Sequence, residues 1–449
     1  MANVIKLKKG LDINLKGKPQ PVVKDAPMSE FYALIPDDYH GIVPKVVVKV
    51  GDKVEAGAPL MVDKNRPQMQ FVSPVSGEVT SVTRGERRKV LDITVKADEK
   101  QTYKDFGKQR VDALSAQQVK ELLLEAGMFA FIKQRPYDVI ANPEVTPRDI
   151  FVSAFDSAPL APDFNFVVRG QEADFQTGID ALAKLTDGKV YVGMKAGKEF
   201  PVKNAVCVSF DGPHPAGNVG VQIHHIAPVN KGETVWTLNA FDVLMIGRLF
   251  NKGIVDFTRL VAVTGSEIEN PMYVKTVIGA KISSILGDNV KKSAYHQRFI
   301  SGNVLTGTRV DASGYLCAPH SQITVIPEGD EHYEFLGWAV PGWGKFSVSH
   351  TFFSWLSGRN KEYVMDARLH GGRRAIIMSG EYDKVLPMDI LPEFLIKATL
   401  AFDVDKMENL GIYEIAPEDM ALCEFVDTSK LEVQKIIRNG LDELMREMM

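Results

Sequence analysis

Asp211, His214, His224 and His225 lie together in CVSFDGPHPAGNVGVQIHH (207–225), residue types that can hold a catalytic zinc ion. Their spacing argues against one. No helical HxxxH pair is present, and His214 is clamped between Pro213 and Pro215, so no metal is expected. Asp211–Gly217 instead predicts a rigid polar loop that makes an interface or a site, its imidazole bonded to backbone across a domain seam. Cys207, Cys317 and Cys423 are too scattered for a disulfide framework, a zinc site or an iron–sulfur cluster. In MFAFIKQRPYDVIANP, Lys133 and Arg135 sit among aromatics ahead of a proline; the stretch reads either as an exposed connector or as a buried linker. HGGRR (370–374) could cradle a phosphate through backbone N–H groups, but a plain turn is the expected outcome.

Lys64 is a different case. VGDKVEAGAPLMVDKNRPQMQFVSPVSGEV (50–79) reads as two short β-units around a lysine, similar to a biotinyl or lipoyl carrier hairpin. Asp63-Lys64 falls early in the segment, however, and Asn65-Arg66-Pro67-Gln68 makes the better turn. The expectation is a carrier shape with a bare, solvated lysine on the strand shoulder.

The elements that would position these groups follow from composition and pattern. A chain of 449 residues, 45% hydrophobic and 24% charged with net charge −4, is a multidomain globular protein with no bias towards nucleic acid or anionic lipid. No apolar run reaches the ~18–20 residues of a membrane span, and MANVIKLKKGLDINLKGK has no signal-peptide core, so a cytoplasmic location is expected. Residues 1–100 are expected to form a barrel-sandwich hybrid domain. Residues 101–148 form a helical connector, with a helix in DALSAQQVKELLLEA closed by Gly127. Residues 149–255 alternate strand runs (DIFVSAF, NFVV, KVYVGM, AVCVSF) with the helix QTGIDALAKLT, a Rossmann-like α/β layer. Its first turn, DSAPLAPDFN, has prolines where a dinucleotide site needs glycines, so no nucleotide is expected. A β-grasp module (256–335), a glycine-rich loop region (336–383) with Trp338, Trp343 and Trp355 either exposed or buried, and a C-terminal helical bundle (384–449) complete the chain.

KKGLDINLKG (8–17), DGPHPAG (211–217), TVIGA (276–280), SGNVLTGT (301–308), LGWAVPG (336–342), KFSV (345–348), VLPMDI (385–390) and DMALCEFV (419–426) resemble, from end to end, the A-subunit family of the Na+-translocating NADH:quinone oxidoreductases. The domain order is also similar to the flavoprotein subunit of respiratory complex I and the C subunit of the Rnf complex. Those relatives carry a glycine-rich flavin and NADH loop and clustered cysteines; this chain has neither, and it lacks the SGAT-like motif that holds covalent flavin. The resemblance implies a cofactor-free subunit on the cytoplasmic face of the bacterial inner membrane. It would be held there by five other subunits, some integral to the membrane, which carry FMN, riboflavin, FAD and iron–sulfur. It further implies a quinone site in two segments, ALIPDDYHGIVP (33–44) and GMFAFIKQRPYD (127–138). There Tyr39, His40, Lys133 and Arg135 would donate hydrogen bonds, Phe129, Phe131 and Pro136 would form walls, and His40 would relay a proton. The alternatives are a purely structural docking role for the same segments and, less in keeping with the sequence, a lipoyl-type carrier.

Overall fold

The computed structural model describes residues 4–331, 337, 340–358 and 360–448. Trp338 lies outside them. The barrel-sandwich is built from a four-stranded sheet (Phe31–Leu34, Val90–Ala97, Gly77–Arg84, Lys53–Val54) and a three-stranded one (Pro44–Val46, Pro59–Asp63, Gln70–Val72). Alternation along these strands turns Leu60, Phe71, Val79, Ile93 and Val95 into a shared core. The loop after Pro59–Asp63 is tied down by buried Asp63, whose carboxylate accepts from the Val43 and Asn65 N–H groups and from Arg66 Nε. Lys64 is exposed at the start of that loop, and its own N–H is spent on the Val43 carbonyl at 2.7 Å.

Two strands before Phe31 pair with other sheets. Val4–Lys6 runs parallel to Val206–Asp211, and Gln20–Asp25 runs parallel to Met272–Val277, capping the edges of two other sheets.

The central sheet has the order Val4–Lys6, Val206–Asp211, Val190–Lys195, Ile150–Ser153, Val235–Asn239, Lys133–Arg135, Val139–Ile140. Residues 101–148 are therefore not a connector outside the α/β layer. They add its antiparallel edge, with Lys133 opposite Thr237 and Arg135 opposite Val235. The helix Ala116–Glu125 stands as expected, opened by a Ser115–Gln118 capping box and closed at Gly127 with φ +70°. NFVV is a helix, Phe164–Val167, where a strand was expected. Asp163 caps it by accepting from the Asn165 N–H, and Phe164 and Val167, three apart, are buried together.

Helices Glu172–Ala183 and Ala240–Lys252 approach so closely that side chains are excluded. A Cβ on Gly178 would lie 2.3 Å from the Val243 carbonyl oxygen, and one on Gly247 1.7 Å from that of Asp174. Gly247→Ala is expected to cost about 1–3 kcal/mol by forcing the helices apart. A shift in the urea midpoint at unchanged slope measures it.

The β-grasp sheet (Thr308–Val310, Gln297–Ser301, Gln322–Pro327, Thr258–Thr264, Met272–Val277, Gln20–Asp25) packs beside this layer. Arg259 on its strand reaches Asp242 on the α/β helix at 2.5 Å in the interior. The C-terminal helices Tyr382–Val385, Pro392–Ala401, Val404–Asn409, Ala421–Val426 and Val433–Met448 gather a second core, with Leu395, Ile396, Met407, Ile437 and Leu441 packed with Leu7, Ile13 and Phe210. Trp343 and Trp355 stand half out of the surface, at 53% and 50% exposure, which selects the surface-loop reading for both. HGGRR is an exposed irregular stretch whose Arg374 N–H bonds the Ser429 carbonyl. Among the described residues, no helix is long and apolar enough to cross a membrane.

Candidate functional site

In the central sheet, strand order reverses between Ile150–Ser153 and Val235–Asn239: the chain first builds outward to Val190–Lys195 and Val206–Asp211, then returns to the other side. Loops leaving the carboxyl ends of those two strands must part, and a crevice opens there. A cleft of about 380 Å³ fills that position, lined by Ser153, Leu238 and Asn239 from the strand ends. The barrel-sandwich, the α/β layer, the β-grasp and the helical bundle each contribute a wall, from Asp38 and Tyr39 to His320 and Glu418.

The structure divides the sequence-expected quinone residues sharply. Tyr39, Phe131 and Lys133 line the cleft. The Tyr39 ring is wedged edge-on between Phe71 at 4.7 Å and Phe131 at 6.2 Å, and burial raises its hydroxyl pKa. Lys133 lies on the strand next to the edge, between Val235–Asn239 and Val139–Ile140, with its ammonium 3.7 Å from Asp138. Burial pushes the Asp138 carboxyl up, but Lys133, Arg135 and Arg438 together hold it below the usual range. His40, one residue on from Tyr39, turns outward and meets Asp442 at 2.8 Å on the surface. Phe129 is a core ring against Trp236 at 5.3 Å. Arg135 is fully buried away from the cleft, its Nη1 donating to Asp419 Oδ2 at 3.0 Å and to the Glu414 carbonyl at 3.2 Å. Pro136 follows it through a cis bond and is buried. Strand alternation does not explain this division, since Lys133 and Arg135, two apart, share a face of the sheet; Arg135 is drawn off by Asp419 and the Glu414 carbonyl.

Of the metal candidates, His214 also lines the cleft. Its loop is pinned by backbone bonds: the His214 N–H donates to Asp12 and its carbonyl accepts from the Leu11 N–H, while Gly212 turns the chain with φ +154°. The His214–Pro215 bond is cis. The imidazole bonds the Ser157 hydroxyl at 3.0 Å through Nδ1, not a backbone group. Burial drops its pKa to about 4, so it stays neutral. Asp211 ends its strand exposed, giving its carbonyl to the Leu7 N–H. His224 is engaged by Glu414 and by the Asp389 N–H, and His225 by the Val221 carbonyl. Among the described residues, these four do not bring three ligand atoms together.

Three lining residues have little or no sequence signal. Asp38, within the segment 33–44, accepts from the Ala318 N–H at 2.7 Å, and burial lifts its carboxyl to about 7. Asp242 opens the helix behind the cleft, raised by burial to about 6 against the pull of Arg259. His320, in CAPHSQ, is pressed to about 4 by burial and by the positive charges of Arg259 and Lys133. Only a polar residue placed just before the strand Gln322–Pro327 hints at it. The site thus combines aromatic and aliphatic walls, a primary ammonium, two neutral imidazoles and two carboxyls, Asp38 and Glu418, that burial lifts to about 7. Such a set is chemically suited to a flat acceptor-bearing ring and to proton transfer.

Known proteins share this architecture. Residues 5–98 match the model for the NqrA N-terminal barrel-sandwich hybrid domain, 114–255 that for the NqrA second alpha/beta domain, and 260–312 that for the NQRA C-terminal domain. The chain is 36% identical over 450 residues to the A subunit of the Na(+)-translocating NADH-quinone reductase from Yersinia pestis bv. Antiqua (strain Angola), covering 99% of this chain and 100% of that one. It is 38% identical over 451 residues to the corresponding protein from Neisseria meningitidis serogroup C / serotype 2a (strain ATCC 700532 / DSM 15464 / FAM18), with the same coverage. A NAD+-reducing NiFe hydrogenase in the H2-reduced state aligns at TM-score 0.37 and 11% identity over 75% of this chain and 64% of that chain, a likeness too slight to bear on function.

Proposed function

Because the chain belongs to the NqrA family, the A subunits of the Na+-translocating NADH-quinone reductases, we propose that within this sodium-transporting translocase it shapes a binding site for the quinone ring at the cleft between its domains. The observation that carries this reading is the convergence of Tyr39, Phe131 and Lys133, drawn from two separate sequence segments, on one crevice at the sheet's switch point. Aromatic faces would stack the ring, and the Lys133 ammonium would favour the oxygen on which negative charge builds as electrons arrive. Electrons come from elsewhere in this account. FMN, riboflavin, FAD and iron–sulfur belong to the five partner subunits, in keeping with Cys207, Cys317 and Cys423 lying in three separate places. The chain would sit on the cytoplasmic face of the inner membrane through those partners, the integral ones carrying sodium.

Lys133→Met in the assembled complex is expected to raise the apparent quinone KM about 5–20-fold with normal assembly, whereas His40→Ala leaves it unchanged. Unchanged KM in Lys133→Met would remove the quinone role and leave the chain a structural docking subunit.

A further inference from the structure

The cleft holds two histidines built to one plan. His214 comes from the α/β domain and His320 from the β-grasp module, and both line the cavity. Each gives its Nδ1 to a serine hydroxyl, His214 to Ser157 at 3.0 Å and His320 to Ser301 at 2.9 Å. Each hydroxyl already accepts a backbone N–H, from Gly217 at 2.8 Å and from Cys317 at 3.1 Å. A hydroxyl that accepts from the backbone has its own proton left to give, and the imidazole nitrogen is the acceptor beside it. With each hydroxyl donating to its ring, Nδ1 is unprotonated and the hydrogen of each neutral imidazole sits on Nε2, the tautomer the proposal below requires. Among the described residues, no group bonds either Nε2. For His320 the edge is kept clear by Gly302, where a Cβ would stand 3.2 Å from both Nε2 and Cδ2.

This is not a hydrolytic pair. A nucleophilic serine must face the basic nitrogen of a histidine oriented by an acid on its other side, and here serine occupies the orienting position. What remains are two N–H donors, oriented from behind, uncharged and in want of acceptors.

We propose that His214 and His320 are the paired hydrogen-bond donors for the two carbonyl oxygens of a quinone ring held in the cleft. The inference rests on the reading of the cleft as a quinone site, and it adds which side chains recognise the ring and in which tautomer. A quinone suits two neutral donors because it presents two acceptors and no donor. An anionic ligand would draw instead on charged groups, of which Lys133 is balanced by Asp138.

The full-length chain, selectively 15N-labelled at histidine, would be titrated with a short-tail benzoquinone, following intrinsic fluorescence quenching and the imidazole N–H resonances. Two Nε2–H signals are expected to shift on binding. His214→Phe and His320→Phe are each expected to weaken binding about 5–10-fold, and His320→Gln, which restores an N–H, to recover much of the loss. Far-ultraviolet circular dichroism verifies folding, and the Gln variant separates a lost donor from a disturbed loop. If the wild-type chain binds and both Phe variants bind equally well with unmoved imidazole signals, the donor pairing is wrong and the cleft reading stands. If the wild-type chain does not bind the quinone at all, both fall together.

Discussion

Arg135→Met is expected to destabilise the protein by about 3–5 kcal/mol without altering the quinone affinity of molecules that remain folded. Arg135 is fully buried, and its guanidinium is the only cation within 4 Å of the carboxylate of Asp419 among the described residues. Asp419 Oδ2 also accepts the Ala416 N–H at 3.0 Å, and a Cβ on Gly220 would sit 2.2 Å from the same oxygen, so the acid cannot move away. Methionine fills the space but leaves that carboxylate desolvated and unpaired. The double variant Arg135→Met, Asp419→Asn should recover part of the loss, because the buried Asp419 charge is gone while Glu418, 3.4 Å from Arg135 Nη2, still lacks its partner. Guanidinium denaturation of the four proteins of this cycle tests the pairing; near-additive losses would refute it. Because Arg135 ties the edge of the central sheet to the segment Pro417–Met420, proteolysis should show the C-terminal helices loosening first.

The second large effect concerns pH. Asp38 titrates near 7 in the folded chain because burial disfavours its charged form, against an ordinary value of 3.8. The unfolded chain therefore releases this proton at lower pH than the native one. The stabilising contribution is complete below about pH 4 and is lost as pH rises towards 7. Three pH units of linkage correspond to roughly 4 kcal/mol at most, and the partial exposure of Asp38 to the cleft reduces this to about 2–3 kcal/mol. Asp38→Asn, which keeps an oxygen for the Ala318 N–H, should raise stability over wild type by that amount at pH 8 and by almost nothing at about pH 3. A Tm difference that is flat with pH would mean that Asp38 is ionised throughout.

The fold was legible wherever local pattern and tertiary role agree. Alternating runs beside glycine turns disclosed the barrel-sandwich, and the capped apolar stripe of Ala116–Glu125 disclosed its helix. Lys133–Arg135 was harder, since three polar residues carry no strand pattern and their partner strand lies about a hundred positions away. A strand so short is made by its neighbour. The same holds for the site. Tyr39, Phe131 and Lys133 could be nominated, yet which of His40, Phe129 and Arg135 faced the cavity depended on backbone turns that periodicity does not encode. His320 owes its place to the β-grasp module docking on the α/β layer, and no motif announces that contact.

The opening strands of the chain have a consequence for its synthesis. Val4–Lys6 cannot dock until Val206–Asp211 exists, nor Gln20–Asp25 until Met272–Val277 does. At roughly 5–20 residues per second of synthesis, the second wait lasts roughly 10–50 seconds. Until then each early strand hangs unpaired outside the ribosome, because the sheet edge it closes has not been made. Closure of both sheets thus waits on strands far downstream, and a bulky fusion ahead of Val4 would impede it.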